Sequence, residues 1–170
     1  PVEPAPPPVP AARARKRLDV DQLAEAFRQA SGGIGWTEIR GGREIDLFED
    51  LAVTLGRPDY AIVTTESTEP SALFQKFLDD AARQVCARRV EADLADPSTA
   101  ILLPAEGVDD ARQLIGLAER FHGRTLEVGD PDLARWAWLL QSARFVAEAP
   151  TDGWQAVCVG LFTHPDFFTY

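Results

Sequence analysis

The sequence predicts an all-α fold, a single orthogonal bundle of about six helices with room for a minor two-stranded element. Apolar residues recur at spacings of three, four and seven over most of the chain, which is the period of one helix face. Asp, Ser, Thr and Gly stand where these stripes begin and end, as helix caps do. The chain has 170 residues, 45% of them hydrophobic, so one core can form without an obligatory disulfide or metal.

The first 17 residues differ in composition from the rest. Six of the 13 prolines lie among the first ten residues, and such a stretch favours extended polyproline backbone that buries little surface. Four of the 17 basic residues and one of the 27 acidic residues also lie there. We therefore predict a Pro-rich, basic, disordered spacer over 1–17 and a helical domain over 18–170.

The predicted domain is strongly acidic. Residues 18–170 hold the remaining 13 basic and 26 acidic side chains, a net charge of −13 against −10 for the whole chain. Such a surface repels phosphate backbones, which excludes nucleic acid as the partner of the domain. Acidic clusters at the first turns of helices are explained by the helix dipole and do not indicate a cation site.

Caps and apolar stripes together place the helices. The predicted helices cover 19–31, 44–55, 71–95, 109–122, 130–149 and 152–164. The helix over 130–149 is apolar nearly all round, which predicts that it is the central helix. Residues 34–42 are expected to form a loop anchored by Trp36. The short β-branched or apolar runs at 60–65, 100–103 and 126–128 are interpreted either as a small two-stranded element or as extended loops.

Cys86 and Cys158 are the only cysteines. In an oxidising compartment they can form one disulfide that closes a long loop. The alternative is that both are small buried hydrophobic residues, as free cysteine often is. Each lies on an apolar helix face, so the choice depends on whether those two helices meet.

The C-terminal residues Asp166-Phe167-Phe168-Thr169-Tyr170 are too aromatic to be left in water. They can fold back and fill the core of the domain. Alternatively they form a docking element in which Phe167, Phe168 and Tyr170 bury their rings in another chain.

Candidate catalytic and cofactor residues are sparse. His122 and His164 have no second His or Cys at ligand spacing, so the sequence predicts no metal site, and a histidine just past a helix is typical of a C-terminal cap. There is no Cys-x-x-Cys-His for covalent haem and no Gly-rich phosphate loop, so no cofactor and no catalytic residue are predicted. A small-ligand pocket would lie between the central and last helices, lined by Trp136, Phe145 and Trp154.

Three runs near the C-terminus carry a resemblance to known sequences. Residues 120–126, 130–136 and 154–167 resemble uncharacterised exported helical proteins of myxobacterial type. The closing Trp, Leu and Pro-Asp-Phe also resemble the ends of planctomycete-type domains found alongside c-type cytochromes. The resemblance implies an envelope location and an accessory or surface-assembly role, and it supplies no catalytic residues.

These observations predict a non-enzymatic exported accessory or interaction protein of the cell envelope, periplasmic or secreted, with a protein partner. A start at Pro and a Pro-rich segment are typical of a processed or lipid-anchored protein whose spacer leads to a membrane tether. No apolar run approaches the ~20 residues of a spanning helix. The alternative is a small-ligand or haem-binding helical module, and the third hypothesis is an enzyme of unknown class.

Overall fold

The computed structural model describes residues 16–62, 64–65 and 71–170. These residues form seven helices and one hairpin, which confirms an all-α fold with a minor two-stranded antiparallel element. The predicted spacer lies outside the described residues except for its last two. The elements are α1 Val20–Ser31, β1 Thr37–Arg40, β2 Arg43–Asp46, α2 Leu47–Asp50, α3 Ala72–Ala95, a 3-10 turn Pro97–Thr99, α4 Asp110–His122, α5 Pro131–Val146, α6 Pro150–Thr163 and α7 Pro165–Phe168.

The predicted caps account for most helix boundaries. The Asp19 carboxylate accepts the backbone N–H of Gln22, and the Gln22 side chain accepts that of Asp19, so α1 begins with a capping box. Asp109 caps α4, and Asp130 caps α5 directly before Pro131. These side chains satisfy backbone donors that have no partner within the helix.

The core is centred on α6, which contacts α3, α4, α5 and α7. Phe162 of α6 stacks on Phe27 of α1 with ring centroids 4.0 Å apart. Cys86 of α3 and Cys158 of α6 form a disulfide, which confirms the first of the two alternatives for the cysteines. The two apolar faces therefore meet across the middle of the core.

The prediction that α5 is the central helix is wrong. Only Leu133 and Leu140 of α5 are buried, whereas Trp138, Phe145 and Val146 are 70%, 90% and 80% exposed. One side of α5 packs on α6, where Gly160 lets the Trp136 ring approach: a Cβ there would lie 3.2 Å from that ring. The apolar residues on all sides of α5 therefore belong to an outer helix whose exposed face is also apolar.

The hairpin β1–β2 falls where a loop and the start of a helix were predicted. Gly41 and Gly42 both have positive φ, +60° and +78°, as the central pair of a tight hairpin turn often does. Asp46 then caps α2, whose four residues replace the longer helix predicted over 44–55. The two-stranded element therefore lies at positions other than those predicted. No strand forms in the described parts of the three candidate runs, which are residues 60–62, 64–65, 100–103 and 126–128.

The two ends of the described chain pair with each other. Leu18 N–H donates to the Phe168 carbonyl at 2.8 Å, and Lys16 and Tyr170 exchange backbone hydrogen bonds at 3.1 and 2.9 Å. Arg17, the residue directly before the predicted boundary at 18, is buried between them. Its guanidinium donates to the Leu55 carbonyl and lies 4.2 Å from the centre of the Phe74 ring.

Two of the three aromatic rings in the C-terminal tail fold back into the core, which is the first of the two alternatives given for this segment. Phe167 and Phe168 are buried in the core, and Phe167 packs edge-on against Phe27 and Phe162. Tyr170 is 71% exposed. Phe167 and Phe168 are thus part of the core, whereas the Tyr170 side chain faces outward.

We expect a buried and an exposed aromatic residue of this tail to differ in their effect on stability. Phe168→Leu should lower the free energy of unfolding by about 1 kcal/mol, because it reshapes a filled core site while keeping an apolar side chain. Tyr170→Ser should change it by less than about 0.5 kcal/mol, as exposed substitutions usually do. Urea unfolding of the two variants measures both values, and an equal loss in both would contradict this placement of the tail.

Candidate functional site

A cleft of about 650 Å³ opens where the C-terminal ends of α4 and α6 meet α5. Its volume lies in the range of sites that hold small molecules. We call it the histidine cleft. It is lined by His122, Arg124, Asp132, Arg135, Trp136, Trp138, Leu139, His164, Pro165 and Asp166.

Three of the side chains that line the histidine cleft are rings in mutual contact. The centroids of His122 and His164 are 4.9 Å apart, and the Trp136 ring lies 5.8 and 5.9 Å from them. His122 is the last residue of α4, which Gly123 ends with a φ of +61°. His164 joins α6 to α7, so both imidazoles lie where a helix stops.

The His122 ring is oriented by a hydrogen bond to α6. Its Nε2 lies 3.0 Å from the Leu161 carbonyl, and because a carbonyl only accepts, Nε2 is the protonated nitrogen. The residue four positions after Leu161 is Pro165, which has no N–H, so this carbonyl lacks its usual α-helical donor. The bond fixes the tautomer and leaves a lone pair on Nδ1.

Burial lowers the pKa of His122, and the neighbouring His164 lowers it further, against the opposing effect of the bond to Leu161. A histidine with a lowered pKa is neutral at pH 7. The ring therefore offers a lone pair rather than a positive charge to the cleft.

His164 and Asp166 are coupled through the first turn of α7. The backbone N–H of Asp166 donates to His164 Nδ1 at 3.1 Å, so that nitrogen also carries a lone pair. The Asp166 Oδ2 atom lies 3.8 Å from the same nitrogen and 3.3 Å from Nη1 of Arg124.

Two arginines and two aspartates share the rim of the histidine cleft. Arg124 Nη2 binds Asp132 Oδ2 at 2.7 Å, and Arg135 Nη1 binds Asp132 Oδ1 at 2.7 Å. The hydrogen bond from Arg124 lowers the pKa of Asp132 and is the largest of the causes that do so. The charges of the two arginines and the two ionised aspartates, Asp132 and Asp166, cancel, so these four side chains give the rim no net charge.

The fold brings together groups that the sequence treated as isolated. One ligand-type atom from each of His122, His164 and Asp166 lies within 4.8 Å of the other two. The prediction that no metal site exists rested on local spacing, and these residues come from two distant helix ends. The order of the helices could have predicted this proximity. Because α4, α5 and α6 follow one another through short connections, the C-terminal ends of α4 and α6 lie at the same end of the bundle.

The three predicted pocket residues do not share a cavity. Trp136 lines the histidine cleft, Trp154 is buried in the core with Arg144 over its ring at 5.4 Å, and Phe145 faces outward. The error follows from the placement of α5, because a central helix would have turned Phe145 inward. The prediction for Trp136 identified one wall of the cleft but not its histidines.

The outer side of α5 is a second candidate site. Trp138, Phe145 and Val146, here called the α5 face, are three large exposed apolar side chains on one helix. Trp138 also lines the rim of the histidine cleft, so the two sites are continuous. This surface was not predicted from the sequence, because the apolar residues all round α5 favoured a buried helix.

The single pair of cysteines is bonded across the core. None of the helices that the structure describes has both the length and the apolar character needed to cross a membrane.

Comparisons of the chain with protein-family models, with curated proteins and with solved structures found no match.

Proposed function

We propose that the protein is an exported, non-enzymatic accessory protein of the cell envelope, periplasmic or secreted, that docks onto a larger protein through the α5 face. The observation that carries this proposal is the exposure of Trp138, Phe145 and Val146 on one helix. Large exposed apolar side chains grouped on one helix are typical of interaction surfaces.

The geometry of α5 places the two rings of this face on one side of the helix, with the exposed Gln141 between them. Trp138 and Phe145 are seven positions apart, which puts them two turns apart, about 10 Å along one side of the helix. Val146 extends the patch around the helix. Large aromatic side chains are enriched at the centres of interfaces, where they fill pockets on the partner.

The charge of the domain indicates the chemistry of the partner. Residues 18–170 carry a net charge of −13, so a partner with basic side chains around an apolar groove complements it. Export is supported by the disulfide, because such bonds persist in oxidising compartments. The Pro-rich leader fits a spacer between an envelope tether and the domain.

A photo-crosslinking residue at position 145 tests the docking surface in living cells that express the full chain. We expect one discrete protein adduct, lost when Trp138→Ser is added. A residue at position 94 is the matched control, since Leu94 is an exposed apolar side chain on α3. Complexes extracted without crosslinking should weaken as salt is raised, because salt screens the attraction between the acidic domain and a basic partner.

The same experiment can contradict the proposal. Identical adduct patterns at positions 145 and 94, or no adduct at 145, would show that the α5 face does not select a partner. An adduct that survives Trp138→Ser unchanged would place the interface elsewhere.

A small-ligand-binding module is the second candidate function, and the histidine cleft favours it. The cleft combines a suitable volume with an aromatic wall at Trp136 and a few polar groups, as ligand sites do. An absorption spectrum of the protein purified from its own cells distinguishes the candidates. A retained chromophore, haem included, that is lost in Trp136→Ala would favour ligand binding.

A further inference from the structure

We infer that His122, His164 and Asp166 form a binding site for a divalent transition-metal ion of the zinc type, with one coordination position open to the histidine cleft. Each residue offers one ligand atom, and these atoms lie within 4.8 Å of one another. Two imidazoles and one carboxylate are the donor set of many exchangeable zinc sites. The inference is independent of docking through the α5 face.

The distances are close to those of a loaded site. Ligand bonds of about 2.0–2.1 Å in tetrahedral geometry put neighbouring ligand atoms about 3.4 Å apart. His164 Nδ1 and Asp166 Oδ2 are already 3.8 Å apart. No pair of ligand atoms is more than 4.8 Å apart, so none must close by more than about 1.4 Å. The side chain of His164 is 40% exposed, which leaves it free to make that small rotation.

The hydrogen bonding of His122 is that of a metal ligand. A metal-bound histidine donates its other N–H to a carbonyl or carboxylate, which fixes the ring and its tautomer. Nε2 of His122 donates to the Leu161 carbonyl at 3.0 Å, and Pro165 leaves that carbonyl without a helical donor. The lone pair on Nδ1 is therefore set by the fold and not by the ion.

Zinc binding would replace one existing contact of His164 and one of Asp166. His164 Nδ1 accepts the Asp166 N–H at 3.1 Å and would exchange this contact for a coordinate bond. Arg124 lies 3.3 Å from Asp166 but 2.7 Å from Asp132. Arg124 can therefore release Asp166 while it keeps its closer carboxylate.

The charge balance of the rim predicts which ions bind. Because Arg124 and Arg135 cancel Asp132 and Asp166, the cleft does not attract cations in general. Affinity must come from the imidazole nitrogens, which suit Zn²⁺, Co²⁺ and Cu²⁺, while Ca²⁺ and Mg²⁺ require oxygen ligands. Three protein ligands leave the fourth position to water or to a small donor ligand beside Trp136.

Isothermal titration of the chelator-treated full chain with ZnCl₂ tests the site. We expect one Zn²⁺ per chain and at least a tenfold loss of affinity in His164→Asn and in Asp166→Asn. Ca²⁺ and Mg²⁺ should not bind. The control is Glu127→Gln, which removes an exposed carboxylate of the α4–α5 connection that does not line the histidine cleft and should change the affinity less than threefold.

Loading with Co²⁺ gives a readout that is independent of affinity. A tetrahedral ion produces d–d absorption bands of high intensity, and these should vanish in His164→Asn while thermal unfolding in EDTA stays at the wild-type value. Zinc binding that is equally tight in His164→Asn and Asp166→Asn would overturn the inference. So would the absence of Zn²⁺ binding to a folded wild-type chain, or a preference for Ca²⁺.

Discussion

Replacing Asp93 by Ala is expected to lower the free energy of unfolding by about 3–5 kcal/mol, the usual cost of removing one partner of a buried ion pair. Asp93 lies on α3 and is 1% exposed. Its Oδ1 atom accepts Arg89 Nε at 2.7 Å. Its two carboxylate oxygens also accept the backbone N–H groups of the loop after α3, from Ile101, Leu102 and Leu103 at 3.0, 2.7 and 2.8 Å.

The size of the effect follows from what the substitution leaves behind. Without the carboxylate, the Arg89 guanidinium is a buried cation that has lost its counter-ion, and three backbone donors lose their acceptor. Glu91→Ala is the matched control, since Glu91 is an exposed acid on the same helix and should cost less than about 0.5 kcal/mol. Urea unfolding with the disulfide intact compares the two. A loss in Asp93→Ala no larger than that in Glu91→Ala would contradict the role of the carboxylate.

Asp93 also links the core to the histidine cleft. The loop that it holds presents the Ile101 and Leu102 carbonyls to the Gln113 side chain of α4, at 2.8 and 3.0 Å. His122 is the last residue of the same helix. We therefore expect Asp93→Ala to loosen the position of α4 as well as to lower stability.

Local sequence signals were sufficient to predict those helices whose own residues mark where they begin. Asp19, Asp109 and Asp130 cap helices whose apolar stripes follow immediately, so α1, α4 and α5 were predicted near their observed starts. The hairpin was missed although Gly41-Gly42 is a turn pair, because Ile45 and Phe48 also fit a helical stripe. Period alone does not separate a short strand from a helix start.

Other features depend on contacts between distant segments and are not encoded locally. Arg89 and Asp93 have the spacing of an ordinary surface pair on a helix, yet they are buried because the loop after α3 folds over them. His122 and His164 were each predicted at a helix end, but their contact requires the packing of α4 against α6. The exposure of Phe145 likewise depends on which side of α5 meets α6, and composition cannot choose that side.

Removing the disulfide is expected to lower the free energy of unfolding by about 4 kcal/mol in the chain-entropy model, because Cys86 and Cys158 are 72 residues apart. Cys86→Ala with Cys158→Ala is the suitable variant, since both positions are buried and Ala introduces no hydroxyl into the core. Urea unfolding should show a lower midpoint than the oxidised wild type and the same midpoint with or without reductant. An unchanged midpoint in the variant would mean that the bond adds nothing to the stability of the fold.

The double variant should nevertheless remain folded. A domain of this length buries most of its apolar surface, and typical stabilities of about 5–15 kcal/mol exceed the expected loss. The packing of Phe27 on Phe162 joins α1 to α6 without the disulfide, so the core keeps a connection across the same layer. Because His164 follows α6 directly, zinc titration of the folded double variant then tests whether the histidine cleft depends on the disulfide. Retention of the wild-type affinity is the result we expect, since the Leu161 carbonyl and the Asp166 N–H orient the two imidazoles and neither contact involves the disulfide.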